Sequence, residues 1–327
     1  MALRVLVASD GFKGCLEAEA VCAALALGLV SAGCVVTQLP LADGGEGTTR
    51  ALVKAGGGEL RSARVEDPLG RLREAWFGVL PDGRGVVEVA AASGHELLAG
   101  AERDPGRTSS RGTGQLLAAA HEAGCGEVIL GLGGSSTNDA GAGLASALGV
   151  LFLDAEGREL PPGGLALANL ARIERPEGCL ASELRIVAAC DVDNPLCGPR
   201  GASRTYGPQK GAGPELVDRL DEALAQFARI VAKDFGREVA EQPGAGAAGG
   251  IGAGLLGLCE ARLVAGAPLV LEAVGFDARL SSHDLVVTGE GQLDAQTLRG
   301  KLPLEIARRA AAAGLPTVEV AGRVAPA

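Results

Sequence analysis

The sequence predicts an α/β protein built around parallel sheets, and three observations support this. Short apolar segments typical of buried strands alternate with helical segments along nearly the whole chain. Hydrophobic residues make up 47% of the 327 residues but aromatic residues only 2%, so Ala, Val and Leu supply the surface that packs helices on strands. Glycine accounts for 51 of the 327 residues, well above its average usage of about 7%. These glycines are clustered, which is typical of functional loops.

The two ends of the chain have the same β-α-β texture, which favours one domain made of two segments. Strands are predicted at 4–8 and 35–39, and helices at 16–31 and through residue 54. Near the other end the predicted elements are a strand at 284–288, a helix at 301–313 and a strand at 316–320. A strand followed by glycine normally leads into a helix, so we expect a further element after the last strand.

The middle of the chain differs and predicts a second domain inserted into the first. Residues 61–92 alternate polar and apolar positions between turns at 67–70 and 81–83, which predicts antiparallel strands. The further elements predicted are helices at 115–122, 142–148 and 214–233 and strands at 127–130 and 184–189. We therefore expect a segmented domain at 1–60 plus 270–327 and an inserted α/β domain at 61–269.

Composition excludes several classes of function. A net charge of −10 argues against a nucleic-acid partner, and no uninterrupted apolar run reaches the roughly 18 residues of a membrane span. The first residues run directly into a strand without a signal peptide, which predicts a cytoplasmic protein. The eight cysteines show no CxxC pairing, so we expect reduced thiols, with a zinc site as the alternative. The oligomeric state stays open, a homodimer included.

The segment 131–141, GLGGSSTNDAG, lies between a predicted strand and a predicted helix. Glycines let a backbone approach a ligand closely, and N–H groups at a helix start attract anions. We expect Gly133, Gly134, Ser135, Ser136 and Thr137 to contact phosphate or carboxylate, with Asp139 as a possible metal ligand. The segment matches neither Walker A nor GxGxxG.

Two further segments combine acids with glycines after strands. Asp10 and Lys13 follow the first strand and could bind a metal or a phosphate, or form a surface ion pair. Asp43 and Glu46 follow the second strand and could contact a metal, a ribose or a substrate hydroxyl, or cap the next helix.

Hydroxyls and a guanidinium precede a predicted helix at 108–114, where Ser110 and Arg111 suit a carboxylate or a phosphate, or cap the helix. Asp191 and Asp193 follow a predicted strand and share one face if the chain is extended. Two carboxylates so close favour a shared metal ion or general-base catalysis, with an Asx turn as the alternative.

The remaining candidates are weaker alone. Lys210 lies in a predicted turn, and Gly249 and Gly250 belong to a glycine loop that could approach a nucleotide or form a tight helix contact. After the strand at 284–288, the candidates are Glu290, Asp294 and Lys301. So many anion- or metal-competent loops in one chain favour phosphoryl transfer, which needs positioning, Mg²⁺ and charge neutralisation.

These motifs together resemble the glycerate kinase family that includes the bacterial glycerate 2-kinases. The resemblance rests on segments in the same order as in that family, at residues 10–14, 42–48, 133–141, 190–196, 206–212, 247–252 and 288–301. It implies phosphorylation of D-glycerate by ATP with Mg²⁺, with the 2-hydroxyl as the expected acceptor and the 3-hydroxyl as the alternative. It also implies a segmented Rossmann- or flavodoxin-like domain with a second α/β domain inserted.

Under this hypothesis the candidate residues take specific roles. Lys13, Asp191 and Asp193 are the catalytic candidates, and the two aspartates with Glu290 and Asp294 are the metal candidates. The substrate candidates are Asp10, Asp43, Glu46, Ser110 and Arg111. The phosphate or nucleotide candidates are residues 133–137, Lys210, Gly249, Gly250 and Lys301.

The sequence departs from the family pattern at four places. Gly11 replaces a serine, Ala140 a glycine and Tyr206 a phenylalanine, and family members continue for several dozen residues past this C-terminus. The alternative hypothesis is therefore a truncated, catalytically impaired homologue that still binds ligands. A dinucleotide oxidoreductase is a third, weaker alternative, because the chain lacks GxGxxG.

Overall fold

The computed structural model describes residues 2–12, 15–42, 45, 47–293 and 302–324. Within them the strands are, in chain order, β1 (Arg4–Ser9), β2 (Val35–Pro40), β3 (Glu59–Glu66), β4 (Leu72–Val79), β5 (Gly85–Glu88), β6 (Glu127–Gly131), β7 (Leu151–Leu153), β8 (Arg172–Glu174), β9 (Arg185–Ala189), β10 (Glu260–Val264), β11 (Leu285–Leu293) and β12 (Thr317–Val324).

The α-helices alternate with these strands along much of the chain, as the sequence predicts, except that β3, β4 and β5 follow one another directly. They are α1 (Ala18–Ser31), α2 (Thr48–Gly56), α3 (Val89–Ser93), α4 (Arg111–Glu122), α5 (Ala142–Ala147), α6 (Leu180–Glu183), α7 (Ala202–Tyr206), α8 (Pro214–Phe235), α9 (Ala247–Leu258), α10 (Gly266–Ala273), α11 (Phe276–Leu280) and α12 (Leu302–Ala312). Short 3₁₀ turns lie at His95–Leu97, Gly100–Glu102, Gly164–Asn169 and Pro208–Lys210.

The chain divides into two compact units, one formed by residues 1–58 with 265–327 and the other by 59–264. We call them the segmented unit and the inserted unit. The sequence predicts these boundaries at 60/61 and 269/270.

The segmented unit contains a parallel sheet with the strand order β12-β11-β1-β2. Val7 lies opposite Val287 of β11 and Gln38 of β2. Parallel neighbours need a crossover, and α1 and α12 provide two of these connections. Val5, Val7 and Cys22 form part of a buried cluster in which α1 packs against the sheet.

The inserted unit contains a six-stranded sheet with the order β10-β9-β6-β5-β4-β3. Strands β10, β9, β6 and β5 are parallel, whereas β4 is antiparallel to both β5 and β3. A separate two-stranded ribbon joins β7 to β8. The α/β prediction with parallel sheets is confirmed.

One expectation about the inserted unit is wrong in part. Residues 61–92 are not a purely antiparallel set, because β5 pairs in parallel with β6 and residues 89–93 form α3. Strand β5 is buried along its whole length because it lies between two neighbours. Its continuous burial, rather than alternation, is what a central parallel strand requires.

Helix α8 contributes much of the core of the inserted unit. It begins with Pro214 at its first position, and Gly236, whose φ is 66°, directly follows its last residue. Its buried face includes Leu224 and Phe227, and the Phe227 ring stacks on Phe152 with centroids 6.4 Å apart. The predicted helix at 214–233 is confirmed, with its last turn extended to Phe235.

Within the described ranges, none of the helices combines the length and the apolar character that crossing a membrane would require. All eight cysteines are free thiols.

Candidate functional site

The candidate site of the inserted unit lies where three neighbouring parallel strands end. Glu88 of β5 is in register with Gly131 of β6, which is in register with Ala189 of β9. Segments 89–95, 132–141 and 190–196 therefore leave the sheet side by side. Ligands of open α/β sheets bind at such carboxyl ends.

The three hydroxyl residues of segment 132–141 have different environments. Ser135 keeps 8% of its surface exposed and follows the exposed Gly134. Ser136 donates from both its backbone N–H and its Oγ to the carbonyl of Ser93, at 2.9 Å each. Thr137 is fully buried. Only Gly133, Gly134 and the edge of Ser135 therefore face outward at the start of the segment.

Lys210 lies beneath this segment and not in solvent. Its residue exposure is 3%, and its Nζ donates to Ser135 Oγ at 2.8 Å and to the Thr137 carbonyl at 2.7 Å. Burial lowers the pKa of Lys210 to about 7, and the charge of Asp139 acts in the opposite direction. A lysine in this place supports the loop from within.

Asp139 is the acceptor that joins the loop to α4 and α5. Its carboxylate accepts hydrogen bonds from the backbone N–H and the hydroxyl of Ser110, at 2.8 and 2.9 Å, and from the N–H groups of Gly141 and Gly143. Burial raises the pKa of Asp139, whereas these donors stabilise the ionised form. Its hydrogen-bonding capacity is used within the protein.

The predicted substrate residues of α4 differ in exposure. Ser110 is fully buried, since its Oγ donates to Asp139 and accepts from the Leu144 N–H at 2.9 Å. The Arg111 side chain is 43% exposed, and its Nε lies 3.4 Å from Glu66 Oε1. Arg111 is thus the more accessible of the two at the start of α4.

Gly249 and Gly250 form a close backbone contact with the loop. Both have positive φ, and a Cβ on Gly249 would overlap the carbonyl oxygen of Thr137. The Ala140 N–H donates to the Gly249 carbonyl at 3.1 Å. The sequence allowed this glycine segment either to approach a nucleotide or to form a tight contact with a helix. In the structure it forms a tight contact, and the contact is with the loop 132–141.

Asp191 and Asp193 lie in an irregular, exposed segment directly after β9. The Asp193 side chain is 79% exposed, and its Oδ1 accepts from the Arg200 guanidinium at 2.9 Å. Tyr206 donates to Asn194 Oδ1 at 2.7 Å and so anchors the end of this segment. The two carboxylates therefore lie at the sheet edge without deep burial.

In the segmented unit, Asp10 directly follows β1, whereas Glu290 lies within β11 and not in a loop after the strand predicted at 284–288. Ser9 Oγ bonds to the Gly289 carbonyl at 3.0 Å and ties the end of β1 to β11. Asp10 accepts from the Gly11 N–H at 2.6 Å. Glu290 is buried, and burial followed by the charge of Glu290 raises the pKa of Glu319 on β12. Two acidic side chains thus lie close together on the neighbouring strands β11 and β12.

Several predicted site residues lie outside the described part of the chain. They are Lys13, Asp43, Glu46, Asp294 and Lys301. Among the residues that are described, no three His, Cys, Asp or Glu side chains group as a metal site.

Sequence inspection missed the contribution of the segment after β5. His95 donates its backbone N–H to the Gly134 carbonyl at 3.0 Å, and its Nδ1 lies 3.0 Å from the same oxygen. Ser93 Oγ lies 2.7 Å from Thr113 Oγ1 while its carbonyl holds Ser136. The Ser-Gly-His sequence of this segment has no recognisable pattern, and only the β5–β6 pairing places it beside the loop.

A family model and several relatives match nearly the whole chain. The family model described as the glycerate kinase family matches residues 5–327. A glycerate kinase of Bacillus subtilis (strain 168) is 44% identical, with 98% of this chain and 85% of the relative covered. A glycerate 2-kinase of Escherichia coli (strain K12) is 40% identical, with 98% and 85% covered.

A solved structure has a similar fold. A crystal structure from Salmonella typhimurium LT2, of a protein provisionally named glycerate kinase 2, superposes with a TM-score of 0.90 at 41% identity and covers 99% of this chain and 90% of that one. The sequence motifs, the fold and these relatives give one answer, and the chain belongs to the glycerate kinase family.

Proposed function

We propose that this protein is an ATP- and Mg²⁺-dependent glycerate kinase of the cytoplasm that phosphorylates the 2-hydroxyl of D-glycerate. The observation that carries the proposal is the side-by-side exit of segments 132–141 and 190–196 from parallel strands β6 and β9. One segment offers N–H and hydroxyl donors, and the other offers exposed carboxylates. The choice of the 2-hydroxyl rests on the name of the Escherichia coli relative.

Phosphoryl transfer breaks the bond between the γ-phosphorus and the β–γ bridging oxygen and forms a bond from the acceptor oxygen to phosphorus. The acceptor hydroxyl must lose its proton, and a carboxylate at the edge of the site is the natural base. We assign this role to Asp193 or Asp191. Gly133, Gly134 and Ser135 provide N–H and O–H donors for an anionic group.

The donor set after β9 fits a magnesium ion. Mg²⁺ prefers oxygen ligands and is usually held by one or two carboxylates together with substrate phosphates and water. Asp191 and Asp193 are exposed, lie two residues apart and provide such oxygens. When bound, the ion would neutralise phosphate charge. Glu290 and Asp294 are the alternative ligands.

Six further residues keep the roles that the sequence predicts for them. Lys13 is proposed to contact the transferring phosphate, and Lys301 another phosphate group. Asp10, Asp43 and Glu46 are proposed to contact glycerate hydroxyls. Arg111 is proposed to bind the glycerate carboxylate, because its guanidinium is accessible at a helix start.

A coupled ADP-release assay with D-glycerate tests the activity, and phosphorus NMR of the product tests the position of phosphorylation. We expect ADP release that depends on both D-glycerate and Mg²⁺, and a 2-phospho product. A 3-phospho product would overturn the position alone. No ADP release, together with nucleotide binding in a calorimeter, would favour a homologue that binds ligands without catalysis.

Replacing Asp193 with Asn tests the proposed base or metal ligand. We expect turnover to fall by about 10² to 10⁴, the usual contribution of a general base, because the amide cannot accept the proton. The control is Asp82→Asn, since Asp82 also pairs with an arginine, Arg84, but lies in the turn before β5. Near-normal turnover of Asp193→Asn would remove Asp193 from the mechanism.

A further inference from the structure

The contact between Lys210 and Ser135 determines where the serine hydrogen points. Lys210 Nζ donates to Ser135 Oγ at 2.8 Å, and because an ammonium group has donors only, Ser135 Oγ is the acceptor of this bond whenever Lys210 is protonated. The hydroxyl hydrogen of Ser135 is therefore available to another acceptor. In the described part of the chain we find no protein acceptor for it.

The surroundings of Ser135 differ between the Lys210 side and the Gly134 side. Lys210 occupies the inner side, and the exposed Gly134 precedes Ser135 on the outer side. Lys210 is 3% exposed and has two of its donors engaged by the loop, so it has little surface of its own to offer a substrate. A hydroxyl that accepts from a cation is polarised and becomes a stronger donor.

We propose that Lys210 is a positioning residue that acts through Ser135, holding the hydroxyl hydrogen of Ser135 outward to bind an anionic oxygen of the substrate. This inference rests on the proposed kinase function. The ligand chemistry is an oxyanion, supplied either by a nucleotide phosphate or by the glycerate carboxylate. Lys210 would thus contribute to substrate binding without touching the substrate.

A double-mutant cycle separates this arrangement from a purely structural lysine. The variants are Ser135→Ala, Lys210→Met and the double variant, because Met keeps an unbranched stem but has no donors. A hydrogen bond to a charged group is worth about 10- to 100-fold in affinity. We expect each single variant to raise one KM by about that factor, and the double variant to be no more than about 3-fold worse than Lys210→Met.

Separate titrations identify the anion. A rise in the KM for ATP with an unchanged KM for D-glycerate points to a phosphate, and the reverse points to the carboxylate. Calorimetric titration with ADP and with D-glycerate gives the same comparison without turnover. If the unmodified protein shows no kinase activity, the proposed function fails, and the calorimetric cycle still tests the inference.

Matched controls guard against loss of folding. Ser203→Ala removes another buried serine hydroxyl bonded to this loop, through Asn138 Nδ2 at 3.0 Å, and should leave both KM values within about 3-fold. If Lys210→Met does not fold, Ser135→Thr provides the test, because it keeps a hydroxyl and should restore binding relative to Ser135→Ala. Full binding by Ser135→Ala, or multiplicative losses in the double variant, would overturn the inference.

Discussion

At the scale of single residues, the inserted unit buries an acid, Asp139, and a base, Lys210, in and beneath the loop of its candidate site. Burying an ionised group is costly unless hydrogen bonds and an opposite charge compensate. Asp139 obtains its compensation from N–H and hydroxyl donors, and Lys210 from Ser135 Oγ, a carbonyl and the field of Asp139. These hydrogen bonds hold the loop 132–141 in one conformation, and they offset the cost of burying the two charges.

The buried Lys210 predicts a characteristic pH dependence of stability. Its pKa is about 7 in the folded protein and 10.5 in the unfolded chain, so the unfolded chain binds more protons between these values. The free energy of unfolding therefore increases as the pH rises from about 7 to 10.5. Lys210→Met lacks this component, so the stability of the original protein relative to the variant should rise from pH 7 to pH 10.

Urea denaturation of both proteins at several pH values measures this difference. Lys233→Met, on the exposed face of α8, is the control substitution. A stability difference that stays constant between pH 7 and pH 10 would contradict the assignment of a depressed pKa to Lys210.

Gly249 predicts a large local cost for a small substitution. In Gly249→Ala the new Cβ would meet the Thr137 carbonyl in a left-handed conformation, so we expect destabilisation by about 2–4 kcal/mol. Gly236→Ala is the matched control, because Gly236 has a similar φ of 66° but open space around it. It should cost only about 1 kcal/mol. Equal losses in denaturant titrations would show that backbone strain alone is responsible.

At the scale of elements, the parallel pairing of β5, β6 and β9 determines the site. Each strand ends at the same edge, so segments far apart in sequence become neighbours. Helices α4 and α5 then bring their N-terminal N–H groups to Asp139. The loop after β6 is thereby held from the α4 side by Ser110 and from below by Lys210.

Substitutions on the buried and the exposed face of α8 should change the free energy of unfolding by very different amounts. Phe227 is fully buried against Phe152, so Phe227→Ala should lower the free energy of unfolding by about 3–5 kcal/mol. Glu222→Ala changes an exposed position of the same helix and should stay within about 0.5 kcal/mol. Denaturant unfolding of both variants checks this, and a small loss for Phe227→Ala would mean that the core around α8 is loosely packed.

At the scale of the whole molecule, the chain builds one unit from two separated segments and the other from a continuous one. The inserted unit has its own sheet and a large buried core. The sheet of the segmented unit needs β1 and β2 from one segment and β11 and β12 from the other.

This organisation predicts different behaviour of fragments. A fragment of residues 59–264 should fold alone, because all strands of its sheets lie within that range. A fragment of residues 1–58 should stay unfolded, because it holds only β1 and β2. Circular dichroism and a cooperative thermal transition distinguish the outcomes. A non-cooperative fragment 59–264 would show that its core depends on the rest of the chain.

The sequence by itself determined the fold class, the order of the elements and the family. These depend on local information: apolar period, glycine punctuation and motifs of a few residues. The helix at 214–233 and the strands beside the glycine loops followed from such patterns and are confirmed. The parallel pairing of β5 with β6 could not be predicted from the sequence, because the four residues of β5 do not indicate which strand they pair with.

Only the tertiary structure decided which hydroxyls face outward. In the sequence, Ser135, Ser136 and Thr137 are equivalent donors in one motif. Their roles separate because Ser93, 43 residues from Ser136, and Lys210, 75 residues from Ser135, reach the same loop from different sides. Burial and hydrogen-bond direction depend on such long-range contacts, and a local pattern of residues holds no record of them.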